Sequence, residues 1–144
     1  MTGSFPPVAE LLPHGPSMCF LSTVLAFEGE VLECEVIPGE GDAAFVREGV
    51  IPAAVSLEYM AQAIAAFVSL KTGRGQGEPG FVMAVRRFKI SVPSFELHRP
   101  LRVRVERRWG ESSAARFDGT IYEGDAVVAT GAMSVFRPDK EEQE

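Results

Sequence analysis

LEYMAQAIAAF, residues 57–67, decides how this chain is read. Between Glu48 and Lys71 its Glu58 is the only charged residue, and Gln62 stands one helical turn further on. From Pro52 to about Thr72 alanine dominates, and only Val55, Ile64 and Val68 are β-branched before Thr72, so the stretch reads as helix. Pro52 suits a first-turn position and Gly73 a stop. Apolar residues occupy nearly the whole circumference, which predicts burial on both sides. A lone carboxylate in such a helix costs several kcal/mol unless it is paired or neutralised. Glu58 therefore has a reason to be there.

Working outward, the flanks read as strands. MCFLSTVLAF (18–27) is an apolar, β-leaning run, and the turn EGE leads into VLECEV (31–36), which puts Leu32, Cys34 and Val36 on one face and Glu33 and Glu35 on the other. PVAELL (7–12) reads as a short helix before the proline-held loop PHGP. PGEGDAAFVREGVIP (38–52) is punctuated by glycine and proline and reads as loop. Beyond the helix, GRGQGEPG (73–80) is a further loop. FVMAVRRFKISV, LRVRVERRW, AARFDGTIY and AVVATGAMSVF follow as strands, the last two joined at EGD (123–125). PDKEEQE reads as a charged, disordered tail. One apolar helix and one sheet of this size bury each other if the sheet curls around the helix. A helix face left uncovered asks for a second subunit.

Composition narrows the function classes. The chain has 144 residues, 46% hydrophobic and 24% charged, which suits a single globular domain over 1–138 with the tail at 139–144. A net charge of −6 argues against a nucleic-acid surface. No run reaches the ~18 uninterrupted apolar residues of a membrane span, and MTGSFPPVAELLPHG lacks the basic start and apolar core of a signal peptide. The expectation is a cytoplasmic protein. Cys19 and Cys34 read as buried thiols, and two cysteines with the distant His14 and His98 form no metal-ligand spacing. RRFK (86–89) and Arg102, Arg104, Arg107 and Arg108 read as the solvated face of strands or as a docking patch for an acidic partner.

At this point the chain resembles a known family. Its element order is that of the hot-dog fold, an α+β architecture in which a curved antiparallel sheet wraps one long central helix. LLPHGPSMCFLSTVLAF is similar to the N-terminal segment of 3-hydroxyacyl-(acyl-carrier-protein) dehydratases. LEYMAQA is similar to their E-x-M-A-Q helix motif, with Glu58 at the catalytic carboxylate. PH-x-x-PM, EYMAQ and the terminal TGAMSVFRP resemble the branch linked to aryl-polyene biosynthesis. The resemblance runs from about Leu11 to Pro138 and implies elimination of water from a carrier-bound 3-hydroxyacyl thioester, no cofactor, and a homodimer or a heterodimer with a paralogue. Two departures stand out. The family's G-H-F-P-G histidine is absent, since the corresponding stretch reads GDAAFVREG with Ala44 near that place. The family's P-G at the helix start is here Pro52-Ala53.

The chemistry assigns expected roles. Dehydration needs a base for the α-proton, an acid for the leaving hydroxyl, and a site for the developing enolate charge. His14 and Glu58 are the expected catalytic pair. His14 otherwise reads as a loop histidine capping carbonyls, Glu58 as a satisfied core carboxylate, and His98 as a surface residue. The amides after Pro52, at Ala53 and Ala54, are the expected carbonyl site. Tyr59 and Met60, with Val55 and Phe67, are candidates for the acyl tunnel or for core. Gln62 is expected to hydrogen-bond neighbouring backbone or to orient the carboxylate, and Arg47, Arg86 and Arg87 are candidates for carrier docking. Two other classes remain open: a non-catalytic hot-dog partner subunit, favoured by the missing histidine, and an acyl thioesterase, since the same fold hosts hydrolysis.

Overall fold

In the computed structural model, residues 5–11, 19–73, 82–111 and 113–136 are described. Among these residues eight strands and one α-helix follow in the order β1 (Thr23–Glu28), β2 (Val31–Val36), β3 (Val50–Pro52), α1 (Ser56–Thr72), β4 (Val82–Ile90), β5 (Ser94–Glu96), β6 (Leu101–Gly110), β7 (Ala114–Glu123) and β8 (Ala126–Phe136). The main sheet is antiparallel in the order β1-β2-β6-β7-β8-β4, and β3 and β5 form a small second ladder. Bulges interrupt the register between Val24 and Ala26, Arg86 and Lys89, Arg107 and Trp109, and Ile121 and Tyr122. Each bends its strand and raises the local twist, which lets the sheet curl around α1. This is the hot-dog fold.

The alternation of the strands decides what α1 meets. Leu32, Cys34 and Val36, Leu101, Val103 and Val105, and Phe117 and Ile121 are all buried in the one core that holds Met60, Ala63, Ile64 and Phe67 of α1. Gly119 and Gly131 face each other across β7 and β8. A Cβ at Gly119 would come within 2.9 Å of Met60 Sδ, so these glycines open the space that Met60 fills. On the outer face Arg102 and Arg104 reach Glu33, whereas Arg107, on the helix side, reaches Glu30 and lies over the Phe67 ring. Both cysteines are thiols, and burial, with the Glu33 charge adding, pushes Cys34 up to about 12.

Three sequence expectations change. Pro52 closes β3 rather than opening the helix. A 3-10 turn, Ala53–Val55, intervenes before α1, because Pro52 pairs with Ser94 and Ala53 N–H donates to Pro93 C=O at 3.0 Å. The helix stops where expected, at Gly73, whose positive φ of 72° lets its N–H turn back to Ser69 C=O. Burial of α1 is not all-round either. Ala54 is exposed and Leu57, Glu58, Ala61 and Val68 are half-buried, all on one stripe. Finally, the segment between β4 and β6 holds β5, whose Phe95 is in the core. Ala53–Thr72 is long and apolar enough to cross a membrane by composition, yet it is mostly buried within the sheet, as the core helix of a globular domain is. The expected loop over 74–80 and the charged tail from 139 lie outside the described residues.

Candidate functional site

Glu58 stands in the first turn of α1, where the helix dipole favours a carboxylate, on the stripe that the rest of the protomer leaves partly open. Its Oε2 accepts a hydrogen bond from Gln62 Nε2 at 3.0 Å. Gln62 Oε1 in turn accepts from Phe20 N–H at 2.8 Å. The amide orientation is fixed by chemistry, since a backbone N–H can only donate. Gln62 is fully buried, so the two bonds satisfy an amide that would otherwise be costly there.

This relay joins two distant parts of the sequence. Phe20 follows the segment 12–18, and Leu11, which precedes it, accepts a hydrogen bond through its carbonyl from Ser69 Oγ at 2.6 Å. Positions 62 and 69 are two helical turns apart on one face of α1. Both flanks of the segment carrying His14 are therefore anchored to the helix face next to Glu58. His14 itself lies outside the described residues. Gly41 tightens the same arrangement from the other side: a Cβ there would overlap the Cys19 carbonyl oxygen and come within 3.1 Å of Phe20 Cα. The loop and the strand entry pack backbone to backbone.

The sequence reading missed Asp42. It is 1% exposed, accepts from Gly39 N–H at 2.6 Å through Oδ1, and receives the Tyr59 hydroxyl on Oδ2. A signal existed, since the hydroxyl of a buried tyrosine requires a partner. Burial first, and Asp42 second, push the Tyr59 phenol above its ordinary range. The ring stacks on Phe95 at 6.1 Å and meets Phe20 edge-on at 6.2 Å, and Phe45 meets Phe20 at 5.5 Å. Tyr59 and Met60 are thus fully enclosed core side chains in this protomer.

The remaining expected residues divide. Pro52 is half-buried, Ala53 N–H is spent on Pro93, and Ala54 is the exposed middle residue of the 3-10 turn. Arg47 donates to the carbonyls of Ala44 and Val46 in its own loop. Arg86 and Arg87 lie on β4 and line a pocket of about 180 Å³ on the outer sheet face. His98 is exposed on a turn with φ of 65°. Among the described residues no three His, Cys, Asp or Glu side chains converge as metal ligands would.

Comparison with known proteins is consistent across family and fold. The family model described as ApeP-like, ApeP dehydratase, matches residues 6–144. Among solved structures, the dehydratase heterocomplex ApeI:P from Xenorhabdus doucetiae is similar over 97% of this chain and 96% of that one, with a TM-score of 0.87 and 23% identity. The Escherichia coli PaaI protein from the phenylacetic acid degradation operon is similar over 80% and 82%, with a TM-score of 0.60 and 10% identity. A putative thioesterase from Ralstonia eutropha JMP134 gives 79% and 83%, 0.60 and 14%. No curated protein matches the chain.

Proposed function

We propose a reaction for a chain that belongs to the ApeP-like dehydratase family: elimination of water from a 3-hydroxyacyl thioester to leave a trans-2-enoyl thioester, with Glu58 transferring a proton. The base takes the proton from C2, the C–H electron pair becomes the C2–C3 double bond, and the C3–O bond breaks as the acid protonates the departing hydroxyl. Glu58 and an imidazole divide these two transfers, and His14, which falls in sequence between the anchored Leu11 and Phe20, is that imidazole. Ala54 N–H, in the 3-10 turn before α1, is the amide suited to the thioester oxygen. No cofactor is required, because the thioester already acidifies the α-proton. The substrate is carried on an acyl-carrier protein and belongs to aryl-polyene-type chain building.

The observation that carries this reading is the Phe20–Gln62–Glu58 relay. It holds a carboxylate on a partly open helix stripe and ties Phe20, which follows the His14-bearing segment in sequence, to the same face. A second hot-dog subunit covers that stripe and the apolar Val85 and Ile90 of β4, which α1 leaves exposed. The similar ApeI:P structure is itself a heterocomplex. The two free thiols suit a reducing, cytoplasmic setting.

One observation favours a second reading, a non-catalytic partner subunit. The loop that would carry the family's histidine presents Ala44 and Phe45, and no imidazole. Incubating the purified chain, alone, with 3-hydroxyacyl and enoyl carrier-protein thioesters separates the readings by mass. Loss of water supports dehydration, loss of the acyl group means a thioesterase, and no change means a partner subunit.

A further inference from the structure

Trp109 is the only tryptophan of the chain, and strand alternation alone would send it inward. Arg107, two residues earlier in β6, lies over the Phe67 ring on the helix side. Residues i and i+2 of a strand share a face, so Trp109 would follow it there. The bulge between Arg107 and Trp109 adds one residue, sets Trp109 opposite Arg116 of β7, and turns it to the outer face. There it is 48% exposed. Phe136, the last residue of β8, stands opposite Ala114 and is equally exposed. The two rings line one depression of about 560 Å³. An exposed apolar side chain standing singly needs no explanation, whereas two large rings in one concave site mark a place where apolar matter binds.

The same depression is lined by two arginines, Arg86 and Arg116. Register places Arg116 between Trp109 on one side and Ser134 on the other, and Arg86 on β4 opposite Ala132 of β8. Among the described residues neither has a carboxylate within ion-pair distance, whereas Arg108, on the strand beside them, has both Glu106 and Asp118. A smaller hollow of about 180 Å³ shares Arg86, Arg116 and Ser134 and adds Arg87, which is likewise without a carboxylate. In a chain of net charge −6, guanidinium groups left without a counter-charge beside exposed rings make a site with a cationic half and an apolar half. Guanidinium forks match carboxylate and phosphate oxygens through parallel hydrogen bonds.

We propose that this depression binds a small amphiphilic anion, a carboxylate or phosphate head on an apolar chain. The head meets Arg116 and Arg86, and the chain lies against Trp109 and Phe136. On the opposite face of the same strands, Phe117, Met133 and Val135 belong to the core that holds α1. The sheet therefore separates this site from Glu58, and binding here is independent of the reaction proposed there. Selection is two-sided. A neutral alcohol of the same length loses the guanidinium bonds, and inorganic phosphate loses the apolar contact.

Trp109 reports on the site directly, because no other tryptophan contributes to the emission. The full chain is titrated with decanoate, decyl phosphate, decanol and inorganic phosphate, each below its micelle-forming range. Decanoate or decyl phosphate should change Trp109 emission saturably, and the tighter of the two names the head. Decanol should bind about 10–100-fold more weakly, and inorganic phosphate more weakly still. The variant R86Q/R116Q keeps the side-chain stems on an exposed face; it should weaken the anion by a similar factor while leaving decanol as it was. Phe136→Ser should weaken both. No saturable response to either amphiphile, decanol binding as tightly as the anions, or R86Q/R116Q binding as wild type does overturns the site. So does an amphiphile that competes with a short 3-hydroxyacyl thioester while Trp109 emission stays unchanged, which would place it in the acyl tunnel. Emission altered by a carrier protein but by neither amphiphile overturns it too, and assigns the arginines to carrier docking.

Discussion

Replacing Gln62 tests the relay at its centre. Gln62→Met keeps the length and apolar stem but leaves the Phe20 N–H without its acceptor, at a residue only 3% exposed. An orphaned buried donor costs about 1–3 kcal/mol, and the lost bond to the half-buried Glu58 adds about 1 kcal/mol, for a total of about 2–4 kcal/mol. In a domain of this size that lowers Tm by about 6–15 °C. Gln62→Glu separates the two bonds. One carboxylate oxygen still accepts from Phe20, but the other faces Glu58 at roughly the present 3.0 Å. Two carboxylates so placed share a proton, so one of the pair in this variant titrates above its unfolded value. Its contribution is intact below about pH 4 and is lost as pH rises. The stability gap to wild type should therefore be wide at neutral pH and narrow in acid. Urea unfolding by circular dichroism across pH measures both. A Gln62→Met penalty below about 0.5 kcal/mol, with a Gln62→Glu gap that ignores pH, would mean that the relay holds nothing.

Other outcomes follow from the same packing. Tyr59→Phe keeps the ring contacts but strips the buried Asp42 of its hydroxyl partner, and should cost about 1–3 kcal/mol in chemical denaturation without changing chain-length preference; an altered preference would move Tyr59 into the acyl tunnel. Gly41→Ala drives a methyl into the Cys19 carbonyl and Phe20, so it should cost about 1–3 kcal/mol or more and weaken turnover, whereas wild-type stability and kinetics would show that the loop yields. Cys34 titrates about 12 folded against 9.0 unfolded, so its contribution is complete below pH 9.0 and drains away between there and about 12. Cys34→Ala should flatten the alkaline fall in unfolding free energy by up to about 1.4 kcal/mol per pH unit, and an unchanged slope would rule the thiol out as its cause.

Periodicity made most of the fold legible. VLECEV and AVVATGAMSVF match β2 and β8 residue for residue, because alternation and flanking turns act locally. MCFLSTVLAF promised a strand from 18, yet pairing begins at Thr23, since Phe20 turns its N–H to Gln62 on the helix. β5 escaped because three residues between Pro93 and His98 show no period, and its pairing with β3 is a distant one. Glu58 and Gln62 stood out as polar groups in an apolar helix. A backbone partner for Gln62 was expected nearby, but that it is Phe20, 42 residues away, was not legible, and nor was Asp42, whose GEGD setting looks like a solvated turn until Tyr59 reaches it.

Proton transfer by Glu58 in the elimination is the centre of the account, and hydration of an enoyl thioester in D₂O reads the reaction directly. Run in reverse, the reaction adds hydroxyl at C3 and a deuteron at C2, which mass spectrometry counts after the exchangeable positions are washed back to hydrogen. Wild type should deposit one deuterium at C2. Glu58→Gln should keep its circular dichroism spectrum and melting behaviour while slowing that deposition on the order of 10²–10⁴-fold. Deposition at the wild-type rate by Glu58→Gln would contradict the account and return Glu58 to a structural carboxylate.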